Sequence, residues 1–197
     1  MSNKPKIRFK GFTDDWEQRK LSDIAIYQNG KGHEELQTNK GKYELINLNS
    51  ISIDGGLKSS GKFISNHEDT LKLNDLVMVL SDVAHGDLLG RVAIIPEENR
   101  YILNQRVALL RVQDETNEKY LFFFINAKQN YFKTNGAGSS QLNISKEVVE
   151  NFQVMCPLNE EQKRISSFLS NVERLITLHQ RMFSYKILTY CLSLGTA

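Results

Sequence analysis

The pattern of apolar and polar positions divides the chain into a strand-rich part and a long helical end. Runs rich in Ile, Val, Leu and Tyr alternate with turn signals such as Asn29-Gly30 and Asp54-Gly55-Gly56, which predicts five strands of ordinary length. The runs follow one another closely and leave no room for helical crossovers, so a mostly antiparallel sheet is favoured. The predicted strands span residues 24–27, 44–53, 75–81, 91–95 and 101–112.

A helix is predicted after these strands. Asn117 is a candidate N-cap, apolar residues keep helical spacing to about residue 134, and Gly136 and Gly138 end the pattern. A loop over 136–143, a short helical turn from Ser145 and a last strand over 152–156 come next. We therefore expect an α+β fold, a mostly antiparallel sheet with helices, as a first domain over residues 1–157.

After Pro157 the pattern becomes that of one long helix. Asn159 is predicted as its N-cap, with Gln162 returning the hydrogen bond as in a capping box. Apolar residues then recur at the a and d positions of heptads, and a neighbouring row widens the stripe. The chain has no second long helix to cover this stripe, so residues 158–197 are expected to form a spacer or dimerisation helix with an atypical apolar tail. The predicted pairing residues are Ile165, Phe168, Leu169, Val172, Leu175, Ile176, His179, Met182 and Phe183.

Composition excludes several classes of protein. Of the 197 residues, 40% are hydrophobic and 24% are charged, which is typical of a globular protein and not of a disordered one. The longest apolar run, residues 120–125, is too short to span a bilayer, and no secretory signal is recognisable. Two cysteines, Cys156 and Cys191, are too few for a disulfide scaffold or a four-cysteine zinc site. We expect a cytoplasmic protein without a metal or a membrane contact.

The distribution of charge is more informative than the net charge of +2. Residues 119–146 contain four lysines and no acidic residue, and this stretch includes a loop rich in Gly, Ser, Asn and Gln. A solvated helix face is the ordinary interpretation of such a run. An acid-free surface next to small polar residues is also what a protein needs to follow a phosphate backbone.

Two patterns resemble catalytic motifs but lack an essential part. Residues 56–62 fit the start of a phosphate-binding P-loop, yet Phe63 stands where Ser or Thr would hold magnesium. Asp82, His85 and Asp87 crowd one turn, but one His with two Asp is below the usual number of metal ligands, and no nucleophile can be located beside them. Motifs for S-adenosylmethionine binding, base methylation and nuclease chemistry are not found. The chain is therefore expected to be non-catalytic.

Five short motifs follow one another in a characteristic order. They occupy residues 5–12, 73–77, 90–94, 104–107 and 138–145, and the last reads Gly138-Ser139-Ser140-Gln141-Leu142-Asn143-Ile144-Ser145. In this order they resemble the DNA-specificity (S) subunit of type I restriction-modification enzymes. The usual chain of that family has two recognition domains, each followed by a long helix. This sequence has one of each and so resembles half a subunit.

The resemblance implies a target recognition domain for double-stranded DNA and a helix that pairs with another half. In the family the two helices run antiparallel and set the distance between two half-sites. The implied partners are a methyltransferase (modification) subunit, a restriction subunit and a second recognition half, supplied by homodimerisation or by another chain. S-adenosylmethionine, ATP and magnesium would belong to the partner subunits, and this chain is expected to bind no cofactor directly.

Three loops form the candidate DNA face: residues 58–62, 81–91 and 133–143. Lysines and backbone N–H groups would hold phosphates, while Asn, Gln, Arg and Ser side chains would read base edges in the major groove. The ordinary alternative for any one of these residues is a solvated turn. The predicted DNA-binding residues are Lys58, Lys62, Ser81, Asp82, His85, Arg91, Lys133, Ser139, Ser140, Gln141 and Asn143.

Two other functions stay open on the sequence alone. In one, the chain is a protein-interaction module whose heptad helix docks into another protein, and the globular part never touches DNA. In the other, it is a hydrolase built around His85. Replacing Lys128 and Lys133 by Glu separates DNA binding from the first alternative, and replacing His85 by Ala tests the second.

Overall fold

The computed structural model describes residues 5–66, 69–83, 86–113 and 115–194, with side chains described as far as Phe183. The chain builds eleven strands and five α-helices within these ranges, together with two short 3-10 turns. In chain order they are β1 Glu17–Lys20, α1 Leu21–Ile24, β2 Ala25–Asn29, β3 Tyr43–Ile46, β4 Phe63–Ile64, β5 Leu76–Val79, β6 Ser81–Val83, β7 Val92–Ile94, β8 Tyr101–Leu103, β9 Val107–Val112, α2 Glu118–Asn126, α3 Gln129–Asn135, β10 Gln141–Asn143, α4 Lys146–Glu150, β11 Gln153–Cys156 and α5 Asn159–Leu194.

A four-stranded antiparallel sheet in the order β2-β9-β5-β7 forms the centre of the fold. All four residues of β5 are buried, so its two faces both point into apolar surroundings. On one face Leu76 and Met78 join a core with residues of α2, α3 and β11. On the other, Val77 and Val79 pack with residues of the three-stranded sheet β4-β3-β8. This layered arrangement confirms the predicted α+β fold with its mostly antiparallel strands.

The predicted strand over residues 101–112 is in fact two strands that belong to different sheets. β8 pairs with β3 in parallel, whereas β9 lies between β2 and β5 in the central sheet. The chain changes sheet through residues 104–106, where Arg106 adopts a φ of 66°. A left-handed residue turns the chain sharply, which hydrophobic periodicity alone does not reveal. Similarly, the strand predicted over 44–53 ends at Ile46 and continues as a 3-10 turn over Leu48–Ser50.

The predicted helix over 117–134 is interrupted once. Its N-cap is confirmed, because the Asn117 side-chain oxygen accepts a hydrogen bond from the Tyr120 N–H at 2.9 Å. The break falls at Lys128, whose φ of −113° and ψ of 28° are not helical. After the break, Phe132 is fully buried with its ring against Gly90, which has a φ of 75° and no Cβ to obstruct the ring. The break thus directs α3 onto the core and fixes it beside the turn that precedes β7.

β1 was not predicted, and it brings the start of the chain to the start of the long helix. It pairs antiparallel with β11, with Glu17 opposite Cys156. Because α5 follows β11 directly after Pro157 and Leu158, the residues that precede β1 lie close to the first turns of α5. Cys156 is buried, and burial raises the pKa of its thiol to about 11.

The long C-terminal helix is confirmed as α5, whose 36 residues give a length of about 54 Å. The predicted capping box is wrong, because Asn159 is the first helical residue and its side chain donates to the carbonyl oxygen of Glu115. Gln162 instead accepts from the Asn117 N–H at 2.8 Å and donates to the Pro157 carbonyl at 2.9 Å. It therefore ties the first turn of α5 to the first turn of α2. No helix of the described ranges has both the length and the apolar character that a membrane crossing requires.

Candidate nucleic-acid interface

Two of the three predicted DNA-facing loops lie side by side. β10 pairs antiparallel with β6, so that Asn143 is opposite Ser81 and Gln141 is opposite Val83. The ladder continues into the body through the Ile144 N–H, which donates to the Leu80 carbonyl at 2.9 Å. We call this two-stranded unit, residues 81–83 and 137–144, the ribbon. It joins loop 81–91 to loop 133–143, which are separated by about fifty residues of sequence.

The tip of the ribbon faces solvent. Gly138 forms the tight turn with a φ of 129°, and a Cβ at this position would lie 2.0 Å from the Gln141 carbonyl oxygen. Ser139 and Ser140 follow it and are exposed. Val83 at the end of β6 is 60% exposed, whereas the predicted site residue His85 lies outside the described residues. The major groove of B-DNA is wide enough to admit a two-stranded ribbon of this kind.

Polar side chains at the base of the ribbon hold its shape. The buried Asp82 carboxylate accepts from the backbone N–H groups of Val83 at 2.9 Å and Leu88 at 2.8 Å, which closes the intervening loop. Gln141 donates its side-chain amide to the hydroxyl of Ser81, which is also buried. Asn143 is exposed and donates to the Gln141 carbonyl at 3.1 Å. Ser81 and Asp82 are thus occupied in positioning the loop, and their contact with DNA stays a prediction.

A half-buried lysine connects α3 to the loop after the ribbon. The Lys133 ammonium lies 2.5 Å from the Asp87 carboxylate, an ion pair between partly exposed side chains. Neither this turn nor any other part of the described chain gathers three or more His, Cys, Asp or Glu side chains that could hold a metal ion. Of the three residues that suggested a metal or charge-relay site, Asp82 is bound to backbone N–H groups and Asp87 is paired with Lys133.

Arg91 carries a positive charge that the protein only partly satisfies. Its Nη1 donates to the Asn126 carbonyl at 3.2 Å, while its Nε is buried without a hydrogen-bond partner. Burial lowers the pKa of Arg91, and the negative charges of Asp54 and Asp87 act in the opposite direction. No carboxylate of the described ranges forms an ion pair with this guanidinium.

The first predicted loop, residues 58–62, is held elsewhere. Its anchor is the buried Glu44 carboxylate, which accepts from the Ser59 hydroxyl at 2.5 Å and the Ser60 N–H at 2.8 Å. Lys58 and Lys62 are exposed, and their contact with a phosphate stays a prediction. No described hydrogen bond or ion pair joins this loop to the ribbon. The structure thus brings together two of the three loops and attaches the third to the β4-β3-β8 sheet.

The predicted pairing residues of α5 divide into a covered and an uncovered group. Ile165, Leu169 and Val172 are partly buried against the body. Phe168 and every residue from 173 to 183 are exposed to solvent. The large apolar residues exposed on α5 at predicted pairing positions are Phe168, Leu175, Ile176, Met182 and Phe183, each at least 52% exposed, and His179 is exposed with them.

Two residues that support this surface were missed in the sequence. Asn126 donates to the Val92 carbonyl at 3.0 Å and accepts from the Val92 N–H at 3.1 Å, so it aligns α2 with β7 next to Arg91. Asp87 was considered only as a candidate for catalysis, although it pairs with Lys133 across 46 positions. The only signal for Asn126 in the sequence is that a polar residue with low helix propensity stands at the end of an apolar helix. The sequence holds no signal for the Asp87 partner.

Comparisons with known proteins agree on one family. The sequence model of the type I restriction modification DNA specificity domain matches residues 13–182. The type I restriction enzyme MjaVIII specificity subunit of Methanocaldococcus jannaschii is 26% identical over 169 residues, which cover 83% of this chain and 37% of that protein.

Solved structures share the fold. The S subunit of the type I restriction-modification system from M. genitalium superposes with a TM-score of 0.65 at 22% identity, over 89% of this chain and 44% of that chain. The HsdS subunit from Thermoanaerobacter tengcongensis gives a TM-score of 0.64 at 15% identity, over 91% and 42% of the two chains. The chain therefore spans less than half the length of the relatives it matches.

Proposed function

The chain belongs to the family of type I restriction-modification DNA specificity domains, and from this premise we propose that it is a sequence-specific reader of double-stranded DNA. In this role it directs a separate methyltransferase subunit and a separate restriction subunit to chosen sites. Residues 1–157 are the target recognition domain and residues 158–197 the spacer helix. The observation that carries the proposal is the ribbon, because it projects an exposed polar tip from a body that buries its base.

The cations near the ribbon suit phosphate contacts, and its tip suits base contacts. Lys133 pairs with Asp87 in the loop after β6, Arg91 contacts the end of α2, and Lys128 is exposed at the break between α2 and α3. Charged contacts to phosphates contribute affinity without sequence information. Ser139 and Ser140 present hydroxyl groups that donate and accept, which is the chemistry that reads base edges. The chain itself needs no cofactor for this task, since S-adenosylmethionine, ATP and magnesium are bound by the partner subunits.

The uncovered part of α5 takes a second helix as its partner. In antiparallel pairing of two copies, an a residue of one helix can meet a d residue of the other. Two copies carry two recognition domains and read a symmetric target in two parts. A different half-subunit can take the place of the second copy.

The most direct test combines co-purification with binding. We expect the chain to co-purify with a modification subunit, and the complex to methylate adenines within a two-part sequence. Binding to random duplex DNA should weaken steeply with salt, since each phosphate contact adds about −0.9 to the slope of log K against log salt concentration. A flat salt dependence together with the absence of a common methylated sequence would contradict DNA recognition.

Helix pairing is tested separately by sedimentation. Leu175→Asp places a charge on the uncovered seam and should convert a dimer to a monomer at micromolar concentration. Leu36→Asp is the matched control, because Leu36 is equally exposed, at 59% against 61% for Leu175, but lies in a 3-10 turn of the body. A wild-type chain that stays monomeric even with the modification subunit present would contradict the homodimer and leave pairing with another half-subunit.

A further inference from the structure

The segment before β1 holds the start of α5 from the side opposite the body. We call residues 7–12 the strap. The Arg8 guanidinium donates through Nε and Nη2 to the two carboxylate oxygens of Glu161, each at 2.7 Å. Glu161 is fully buried in the first turn of α5, and its carboxylate, the principal cause, raises the pKa of Arg8. A buried carboxylate without its cation is costly, so this pair binds the strap firmly to the helix.

Two aromatic contacts continue the same seam. The Phe9 ring meets the Phe168 ring edge to face at a centroid distance of 5.8 Å, and the Arg164 guanidinium lies 5.8 Å from the centre of the Phe12 ring. Residues 161, 164 and 168 are three and four positions apart, so they share one face of the helix. The strap therefore contacts α5 at several positions along nearly two turns of the helix.

The body occupies another face of the same helix segment. Gln162 bonds to the first turn of α2, and Glu173 lines a cavity of about 240 Å³ together with Phe122 and Phe123 of α2. At 100° per residue, positions 162 and 173 point well away from the face that the strap contacts. The start of α5 is thus held from two sides, by the strap over residues 161–168 and by α2 as far as Glu173, while the described side chains from 174 to 183 are exposed.

We propose that the strap is a positioning element that fixes the tilt of α5 relative to the recognition domain. This role rests on the proposed function, because it gives the spacer helix a defined direction. Residues 174–194 extend roughly 32 Å beyond the grip, so a tilt of about 10° at the grip moves the helix end by about 5 Å. That exceeds the rise of one base pair, about 3.4 Å. The family match begins at residue 13, so the strap lies outside the matched region.

The tilt can be measured without DNA or partner subunits. Spin labels are placed at Glu98→Cys on the body and Arg181→Cys on the helix, both exposed positions, in a chain that also carries Cys191→Ser. Cys156 stays in place because its thiol is buried and its raised pKa of about 11 keeps it protonated at neutral pH. Dilution with unlabelled chain removes distances between copies. The wild-type chain should give one narrow distance distribution by pulsed electron spin resonance.

Release of the strap should widen that distribution. Arg8→Gln and Phe9→Ser, made separately, are each expected to increase its width roughly twofold, since one side of the grip is lost. Phe9→Ser leaves the buried ion pair intact. If Arg8→Gln reduces folding, the width measured for Phe9→Ser tests whether the strap fixes the tilt of α5. Two strap variants are matched controls with the wild-type width: Ile7→Ser, at a residue that is 91% exposed, and Lys10→Gln, at an exposed lysine. Helix content by circular dichroism confirms that each chain is folded.

The outcomes separate the strap from the proposed function. A wild-type width in a folded Phe9→Ser chain would overturn the positioning role, whatever the chain does with DNA. A widened distribution in a chain that never binds DNA would support the strap and reject DNA recognition. If both ideas hold, strap variants bind a single half-site as the wild type does but accept a wider range of half-site spacings.

Discussion

The ribbon and loop 58–62 carry similar residues on different supports. Both present serines, a glycine with positive φ and at least one nearby lysine. The ribbon is a strand pair that continues into the core and follows α3 within the acid-free stretch 119–146. Loop 58–62 is fastened to one buried carboxylate, Glu44, which also lies 3.7 Å from Arg100. The two regions have similar local composition, and only their surroundings distinguish the projecting ribbon from a surface turn.

The electrostatic setting differs in the same way. The acid-free stretch 119–146 contains Lys128 and Lys133, of which Lys133 is paired with Asp87, and the charges of Asp54 and Asp87 also act on Arg91. Around loop 58–62, Glu44 accepts its hydrogen bonds, and Asp54 is close enough for Lys58 to lower its pKa, with the Ser52 hydroxyl as the larger cause. We therefore expect a phosphate backbone to be attracted more strongly to the first setting than to the second.

The largest effect is expected when the charge beside the ribbon is reversed. Lys128→Glu with Lys133→Glu should weaken binding to duplex DNA on the order of 100-fold at moderate salt, because two phosphate contacts become repulsive. Fluorescence anisotropy across salt concentrations measures both the affinity and its slope. Undiminished binding would favour a protein-interaction module over a DNA reader.

A smaller but more selective effect is expected at the tip of the ribbon. Gly138→Ala forces a side chain against the Gln141 carbonyl and into a φ of 129°, a strain of roughly 1–3 kcal/mol. Preference for the target over random DNA should fall about tenfold, with little change in random binding.

Gly61→Ala is the control for that variant, since Gly61 has a φ of 65° in loop 58–62 and open space around its missing Cβ. Competition assays with target and random duplexes compare the two alanine variants. Equal losses of discrimination in both would remove the distinction between the ribbon and the loop.

Removal of the tip hydroxyls should have a weaker effect of the same kind. Ser139→Ala with Ser140→Ala is expected to reduce discrimination about fivefold, because each lost hydrogen bond is worth about 0.5–1.5 kcal/mol. Ser65→Ala, an exposed serine outside both regions, serves as the reference. Sequencing of bound fragments from a random library shows whether the preferred bases change, and an unchanged preference would assign base reading to other residues.

The smallest effect is expected for the charge reversal in the first loop. Lys58→Glu with Lys62→Glu changes the net charge by the same amount as the Lys128 and Lys133 variant. Binding should nevertheless weaken less than about threefold, since only long-range attraction is altered. A loss as large as that of the first variant would place loop 58–62 on the DNA face with the other two.

Local features of the fold could be predicted from the sequence, and pairings over long distances could not. The Asn117 cap, the turn after Ser145 and the long final helix each follow from residues a few positions apart. The break at Lys128 has no Gly or Pro to announce it, and it exists because Phe132 is drawn into the core. Propensity gives way to tertiary packing at such places.

The candidate site shows the same division. Its loops could be predicted because Gly, Ser, Asn and Lys in short runs are visible in the sequence, and their contact with DNA stays a prediction. The β6–β10 pairing joins residues about sixty positions apart, and an alternating pattern does not say which strands meet. The Arg8–Glu161 pair spans 153 positions, and only the fold brings the two charges into contact. Sequence thus supplied the chemistry of the surface, and tertiary structure supplied its geometry.

The exposed ribbon tip has an evolutionary consequence. Ser139 and Ser140 can be exchanged without loss of apolar packing, whereas Gly90 cannot accept even a methyl group, because its Cβ would lie 2.2 Å from a ring atom of Phe132. Under the proposed function, selection can therefore alter which bases are preferred while the architecture underneath is inherited unchanged. Diversification of targets among descendants of this chain should accumulate at the tip, with Gly90 and Phe132 kept constant.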